Sequence, residues 1–564
     1  MTFATSSKPF SDHTESFIPK LVTVWREGYG LRDLRADIVA AITVAIVALP
    51  LSMAIAIGSG AKPEQGLYTS IVAGFIISAL GGSRFQIGGP AGAFIVLVAT
   101  TIERFGYPGF LAATIMAGIL LLLIGYLRLG SYIKFIPHPV TVGFTAGIAI
   151  IIAAGEIKDF FGLSMLHEPG ALTARIPALF SAMPSLSLPT TAVSLVSLVA
   201  IVLLRRFVPR FPGLLLTVFL AAFVTWAFAL PLETIGTRFG GIPSSLPKPA
   251  LPDVSVATII DLIPSALAIA VLGGFESLLS AVVADGMSGR RHRSNCELVA
   301  QGWANIASAL FGGLCATGTI ARTATNIRAH AHGPVSGMLH ALFVLAFILI
   351  AAPLAYHIPL AVLAAVLMTV AWNMIEFEQL RAILRSSRGE SAVLLATFSL
   401  TCLRDLTEGL AVGIVLGAIL FMHRMAQFVE VSTEMKLLEE TGDDGNRDEA
   451  AAHEAFRDGI LIFQIAGPFF FGATASVSAV LARLGETPRA VILDLSAVPF
   501  ADNSGAHTLI GFAEKARHRG APVIIAGASR PLLRSLLSAG LSRRLVRYAP
   551  TVALAHERAL KLSE

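Results

Sequence analysis

The sequence predicts a polytopic α-helical membrane protein that ends in a small soluble α/β domain. Three observations carry this prediction. Hydrophobic residues make up 55% of the chain and charged residues only 14%, where a soluble globular protein carries about 25% charge. The mean hydropathy is correspondingly high, at +0.74. Apolar stretches of helical character follow one another from residue 38 to residue 422, and beyond about Met435 strand-length apolar runs alternate with helical ones.

Residues 1–36 carry Asp12, Glu15, Lys20 and Arg26 and have no apolar core before about Ile38, so they read as a cytoplasmic segment and not as a cleavable signal. The membrane region is placed at 37–428. Its apolar stretches lie near 38–58, 66–80, 91–102, 109–127, 139–155, 190–204, 213–230, 259–284, 297–311, 319–327, 334–353, 358–374, 391–403 and 406–422. That makes about fourteen segments, several of them shorter than the roughly 20 residues that span a bilayer.

Basic residues orient them. With the N-terminus inside, the inward loops hold Arg205, Arg206, Arg210, Arg290, Arg291, Arg293, Arg381, Arg385 and Arg388. The longer opposite loops, 156–189 and 231–258, hold only Lys158, Arg175, Arg238 and Lys248. The positive-inside rule then predicts that both termini are cytoplasmic.

Two of the segments are broken. Gly88-Gly89-Pro90-Ala91-Gly92-Ala93-Phe94 interrupts the first half, and the stretch from Gly312 to Thr323 interrupts the second. A long apolar stretch precedes each break by a similar interval. Seven segments per half, an odd number, would insert the second copy upside down, as a 7+7 inverted repeat. Non-helical chain at membrane depth survives only where it lines a cavity or is buried in protein. Each break resumes as a short helix whose free N–H groups and positive dipole end suit an anion. Paired breaks of this kind point to the binding site of a secondary transporter.

Candidate site residues surround the breaks. Glu276 lies inside an apolar helix, where a carboxyl is costly unless it faces a partner or water, and in that setting it can take up and release a proton. Ser280 follows one turn later on the same face. The alternative is a structural Glu bonded to nearby backbone. Arg322 is read as presenting charge to an anion, as balancing Glu276, or as snorkelling to the cytoplasmic face. Thr317, Thr319 and Thr323 offer hydroxyl donors or are packing groups. Ser52 lies in a helix that contains Pro50, at the level of Glu276 in the other half. Phe94 either closes the cavity or packs on a neighbouring helix.

Residues 429–454 read as an acidic linker, with Glu439, Glu440, Asp443, Asp444, Asp448 and Glu449. In the last domain, 455–564, strand-length runs at 460–465, 490–495 and 523–526 alternate with helical runs at 473–484, 505–517 and 530–539, as βαβ units. Asp502 or Ser504 caps the helix after the second strand. No Walker motif, GxGxxG, HExxH or GxSxG is present, so the chain reads as no enzyme and as needing no cofactor. Cys296, Cys315 and Cys402 form neither a metal pattern nor a disulfide framework. The net charge of +5 carries little weight, and no basic-aromatic patch implies nucleic acid.

At these residues the chain resembles the SulP, or sulfate permease, family. The resemblance rests on Ala48-Leu49-Pro50-Leu51-Ser52-Met53-Ala54, Gly66-Leu67-Tyr68-Thr69, Gly89-Pro90, and Ala321-Arg322-Thr323 with Asn326. The last domain resembles a STAS domain. Gly82-Ser83-Arg84-Phe85 and Glu276 through Met287 look like the bacterial branch that includes a C4-dicarboxylate uptake protein. The resemblance implies fourteen segments in core and gate domains, an elevator-like movement and a homodimer. It implies an anion between the N-termini of the third and tenth segments, at Ala93, Phe94, Ala321 and Arg322, with Ser52 and Glu276 beside them.

In sodium-coupled bicarbonate members an Asp matches Glu276 and a hydroxyl residue matches Ile320. The apolar Ile320 therefore favours proton coupling through Glu276 over a sodium site. Ser504 matches the serine that is phosphorylated in anti-sigma antagonists, and the STAS domain implies cytoplasmic protein partners. The expectation is a proton-coupled carrier of sulfate or a C4-dicarboxylate in the lipid of a bacterial inner membrane. The alternatives are a sodium-coupled bicarbonate transporter and an uncoupled channel or exchanger.

Overall fold

The computed structural model describes residues 17–130, 137–165, 169, 171–207, 213–404, 406–427, 430–433, 459–469 and 488–561. The chain divides into two compact units, Met1–Val415 and Leu416–Glu564.

The first unit is helical. Helices α1 (Lys20–Gly28), α2 (Leu31–Gly58) and α3 (Pro63–Leu80) lead to the two-residue strand β1 (Gly88–Gly89), a tight turn at Gly92–Phe94 and α4 (Ile95–Tyr126). Then come α5 (His138–Phe161), α6 (Leu188–Phe207) and α7 (Gly213–Ala227). The second half carries α8 (Ile263–Ser288), α9 (Ser294–Leu310), β2 (Thr317–Gly318), α10 (Ile320–Arg328) and α11 (Val335–Ala351). It closes with α12 (Leu360–Met374), α13 (Phe377–Ser386), α14 (Arg388–Leu403) and the start of α15 (Leu406–Gln427), the helix within which the division between the units falls.

Each apolar stretch of the sequence falls on one of these helices. Among the described residues, eight helical stretches are long and apolar enough to cross a membrane. At nine residues, α10 rises only about 14 Å and is a half-helix. The stretches 91–102 and 109–127 lie on two separate helical pieces of α4, as expected, divided where the backbone leaves the helical region. The break between them survives as a kink, where Gly106 takes φ 71° and Pro108 follows.

Helices at membrane depth associate through close packing and not through hydrophobic transfer, so small residues mark their contacts. Gly118 of α4 and Gly302 of α9 meet in this way. A Cβ on either would lie 2.7 Å from the other's carbonyl oxygen, so the two backbones touch directly. Polar groups pin the ends of the helices. Asp37, fully buried near the start of α2, accepts hydrogen bonds from Tyr29 Oη (2.7 Å) and from the N–H groups of His332 (2.6 Å) and Gly333 (3.1 Å). Glu297 of α9 is also fully buried, and one of its oxygens accepts from the N–H groups of Gly82 and Ser83 at 2.9 and 3.0 Å. These carboxylates satisfy loop backbone that would otherwise be buried without partners.

The second unit contains a five-stranded sheet in the order β3 (Glu430–Thr433), β4 (Ile460–Ala466), β5 (Ala490–Ala497), β6 (Val523–Ala526), β7 (Arg547–Ala549). The β3–β4 pair is antiparallel and the others are parallel. Strand β3 occupies residues expected at the start of the acidic linker; its backbone pairs along β4 and so belongs to the sheet. The rest of that linker and the helical run expected at 473–484 lie outside the described residues.

Helices α16 (Asn503–His518) and α17 (Arg530–Ser538) pack on one face through Leu509, Phe512, Leu532 and Leu536. Helix α18 (Val552–Leu560) covers the other through Ala555 and Ala559. Burial on both faces is why β5 reads as the continuous apolar run Val491-Ile492-Leu493.

Candidate functional site

The two breaks meet. Strands β1 and β2 pair antiparallel, with Gly88 opposite Gly318 and Gly89 opposite Thr317. The N–H of Thr319 donates to the carbonyl of Ile87 at 2.9 Å, and the N–H of Ile87 donates to Thr323 Oγ1 at 3.1 Å. This crossing satisfies interrupted backbone inside the bundle and sets both half-helices off from one place. Around the second break, Asn305 Oδ1 accepts from the N–H of Ala316 (2.8 Å), and Thr69 Oγ1 accepts from the N–H of Leu314 (2.6 Å).

A cavity of about 290 Å³ opens beside the crossing. Its walls include Ala91, Gly92 and Ala93 at one break, Thr319, Ile320, Ala321 and Arg322 at the other, and Leu51, Ile55, Thr145, Glu276 and Leu279 on α2, α5 and α8. The first N–H groups of a helix have no acceptor within it. Those of Ile320, Ala321 and Arg322 therefore belong to residues that line the cavity, as does Ala93 in the facing turn. The remaining wall is built by Val370, Asn373, Met374 and Glu376, where α12 ends and α13 begins.

Arg322 is the largest fully buried side chain of the described residues. Its Nη1 donates to Ser70 Oγ at 3.1 Å, and its Nη2 donates to Ser52 Oγ at 3.0 Å and to the carbonyl of Pro90 at 3.5 Å. Ser52 and Ser70 are themselves 2.8 Å apart, within hydrogen-bond reach. The guanidinium thus joins α2, α3, the first break and its own helix α10. Full burial rules out snorkelling, and no ion pair links Arg322 to Glu276 among the described residues. Gly89 makes room for this cation, because a Cβ there would fall on Arg322 Nη1.

The other candidates separate into two groups. Glu276 and Thr319 line the cavity beside Ala93 and Ala321. No side-chain hydrogen bond or ion pair engages Glu276 among the described residues, so the structural alternative of a carboxyl tied to backbone has no support. Ser52, Phe94 and Thr323 stand behind the wall. Thr323 is fully buried; its hydroxyl accepts from Ile87 and also from Ser280 Oγ at 3.3 Å. The ring of Phe94 is buried against Gly273 of α8, with Cζ 3.4 Å from where a Cβ would stand, so it packs on a neighbouring helix. Thr317 Oγ1 donates to the Gly273 carbonyl at 3.0 Å and does not line the cavity.

Ser70 and Glu376 are not among the residues singled out from the sequence. A signal for Ser70 existed. Gly66, Ser70 and Gly74 recur at helical spacing on α3, and that stripe runs from the Ser52 carbonyl past Arg322 to the Gly88 carbonyl. Glu376 had no such signal, being one acid in the short turn between two helices. In the second unit, Asp502 caps α16, its Oδ1 accepting from the N–H of Gly505 at 2.8 Å. Ser504 is exposed in the first turn of that helix.

A family model described as "Sulfate permease family" matches residues 34–397, and one described as "STAS domain" matches residues 454–555. The chain is 39% identical over 510 residues to "Putative sulfate transporter YvdB" of Bacillus subtilis (strain 168), covering 90% of this chain and 94% of that one. It is 28% identical over 528 residues to the bicarbonate transporter BicA of a Picosynechococcus species, covering 91% and 92%. Among solved structures, the murine Solute Carrier 26 family member A9 anion transporter in the inward-facing state superposes with a TM-score of 0.84 at 18% identity, covering 99% of this chain and 96% of that one.

Proposed function

Because the chain belongs to the sulfate permease family of anion transporters and ends in a STAS domain, we propose that it is a proton-coupled carrier of sulfate or a C4-dicarboxylate. On this reading it works in a bacterial inner membrane, with both termini cytoplasmic, as a homodimer that moves its substrate by an elevator-like displacement. The observation that carries the proposal is the cavity at the crossing, where the first residues of both half-helices face Glu276.

Each group has a distinct part. The free N–H groups near Ala93 and Ala321 bind the anion's oxygens, and Thr319 stands beside them. Arg322 adds positive potential from within the wall. In that setting a charge acts more strongly than in water and is held without reorganisation. Ser52, Ser70 and Thr323 fix the wall. Glu276 carries the proton: a carboxylate beside a bound anion is repelled, and protonation removes the repulsion, so the two loads travel together. Phosphorylation of Ser504, at a helix N-terminus, would regulate the STAS domain's contacts with cytoplasmic proteins.

The test is uptake into proteoliposomes of radiolabelled sulfate, succinate and bicarbonate at two pH values, with and without a protonophore. Wild-type protein concentrates its substrate when the inside is alkaline, and the protonophore dissipates the gradient. Glu276→Gln keeps anion binding and loses the pH dependence; unchanged pH dependence in that variant rules out the coupling role. Bicarbonate belongs in the panel because bicarbonate transporters are among the relatives.

A further inference from the structure

The cavity that should attract anions carries a second acid. Three charged residues belong to its wall: Glu276, Arg322 and Glu376. Arg322 is fully buried behind the wall and Glu276 lies deep in α8, whereas Glu376 is exposed in the turn between α12 and α13. No ion pair or side-chain hydrogen bond engages Glu376 among the described residues. Its neighbour on the rim, Asn373, accepts a hydrogen bond from Arg205 Nη1 at 2.7 Å. The rim therefore holds one acid that faces the cavity and one base that is tethered beside it.

We propose that Glu376 is a charge filter at the mouth of the cavity, which sets the preference among anions by their number of charges. The argument is electrostatic. A fixed charge at the mouth of a low-dielectric cleft changes the local concentration of an entering ion by a Boltzmann factor. That factor depends on the product of the charges, so a dianion feels the square of the penalty that a monoanion feels. Nothing about the anion's shape enters. At solvent-exposed separations the penalty is about two- to threefold for each unit charge on the anion, and it fades as salt screens it. Glu376 thus lowers the entry of sulfate or a dicarboxylate dianion relative to hydrogencarbonate or a half-protonated dicarboxylate, and Arg205 offsets part of the effect. The inference rests on the cavity being the anion's path.

The experiment reads the field at the cavity directly, in purified full-length protein. Thr145→Cys places a thiol on the cavity wall, and the three native cysteines are buried, so protein without this change gives the background. Modification rates are measured with a singly negative, a neutral and a singly positive methanethiosulfonate. Adding Glu376→Gln is expected to raise the negative reagent's rate and lower the positive reagent's rate by the same two- to threefold, with the neutral reagent unchanged. The shifts disappear at about 1 M salt, and Arg205→Gln moves the rates the opposite way. Equal rates in both backgrounds overturn the filter, whatever the protein transports. In liposomes, Glu376→Gln should raise kcat/KM for sulfate or succinate by the square of the reagent factor, about four- to ninefold. Shifted reagent rates with unchanged uptake would leave the field in place and refute the cavity as the path.

Discussion

Gly89→Ala isolates what Arg322 holds together. Gly89 lies in β1 and has no positive φ, so alanine fits the backbone there. The whole effect comes from the new methyl group, which would fall on Arg322 Nη1 and stand 3.3 Å from Ser70 Oγ. The guanidinium must retreat by roughly an ångström to restore van der Waals distance. That movement stretches its bonds to Ser70 Oγ and Ser52 Oγ, now 3.1 and 3.0 Å. Hydrogen bonds to a charged group contribute about 1.5–3 kcal/mol each.

Partial loss of the two bonds therefore predicts about 2–4 kcal/mol of destabilisation and a weaker anion site. The assay is a double-mutant cycle with Arg322→Met, following thermal unfolding in detergent and sulfate affinity. Methionine is unbranched and adapts to the gap, so Gly89→Ala should cost under about 1 kcal/mol in that background. The coupling energy would then be 1 kcal/mol or more. Equal costs in both backgrounds would refute the account, because they would place the damage in the backbone crossing and not at the guanidinium.

Two further substitutions test the scaffold. Glu297→Ala removes the acceptor of the Gly82 and Ser83 N–H groups and of Gln301 Nε2 (3.0 Å), and should cost about 3–5 kcal/mol. Glu297→Gln keeps one acceptor oxygen and should recover part of that loss in the same unfolding assay. Asp502→Ala deletes the N-cap of α16 and should cost about 1 kcal/mol. Hydrogen exchange should report it as faster opening in the first turn of α16, with anion uptake unaltered.

Much of this was legible in the sequence, because the constraint was local. Lipid forbids unsatisfied backbone, so hydropathy marked nearly every helix of the first unit, and Gly and Pro marked the places where helix fails. The αβ alternation and the cap at Asp502 followed from short-range pattern. The positions of Glu276 and Arg322 were visible too, since charge inside an apolar helix stands out.

Their partners were not visible. Arg322 had three readings from sequence; what buries it, and so removes snorkelling, is Ser70 and Ser52, 252 and 270 residues away. The same holds for Phe94, turned toward Gly273, and for Thr323, taken up by Ile87. The sequence by itself determined what kind of chain this is and where its helices break, because each residue meets lipid or water on its own terms. Only the tertiary structure decided that the breaks cross at Gly88–Gly89 and Thr317–Gly318, and which side chains face the cavity they leave. Those choices belong to contacts between distant segments, and no local window of the chain contains both sides of them.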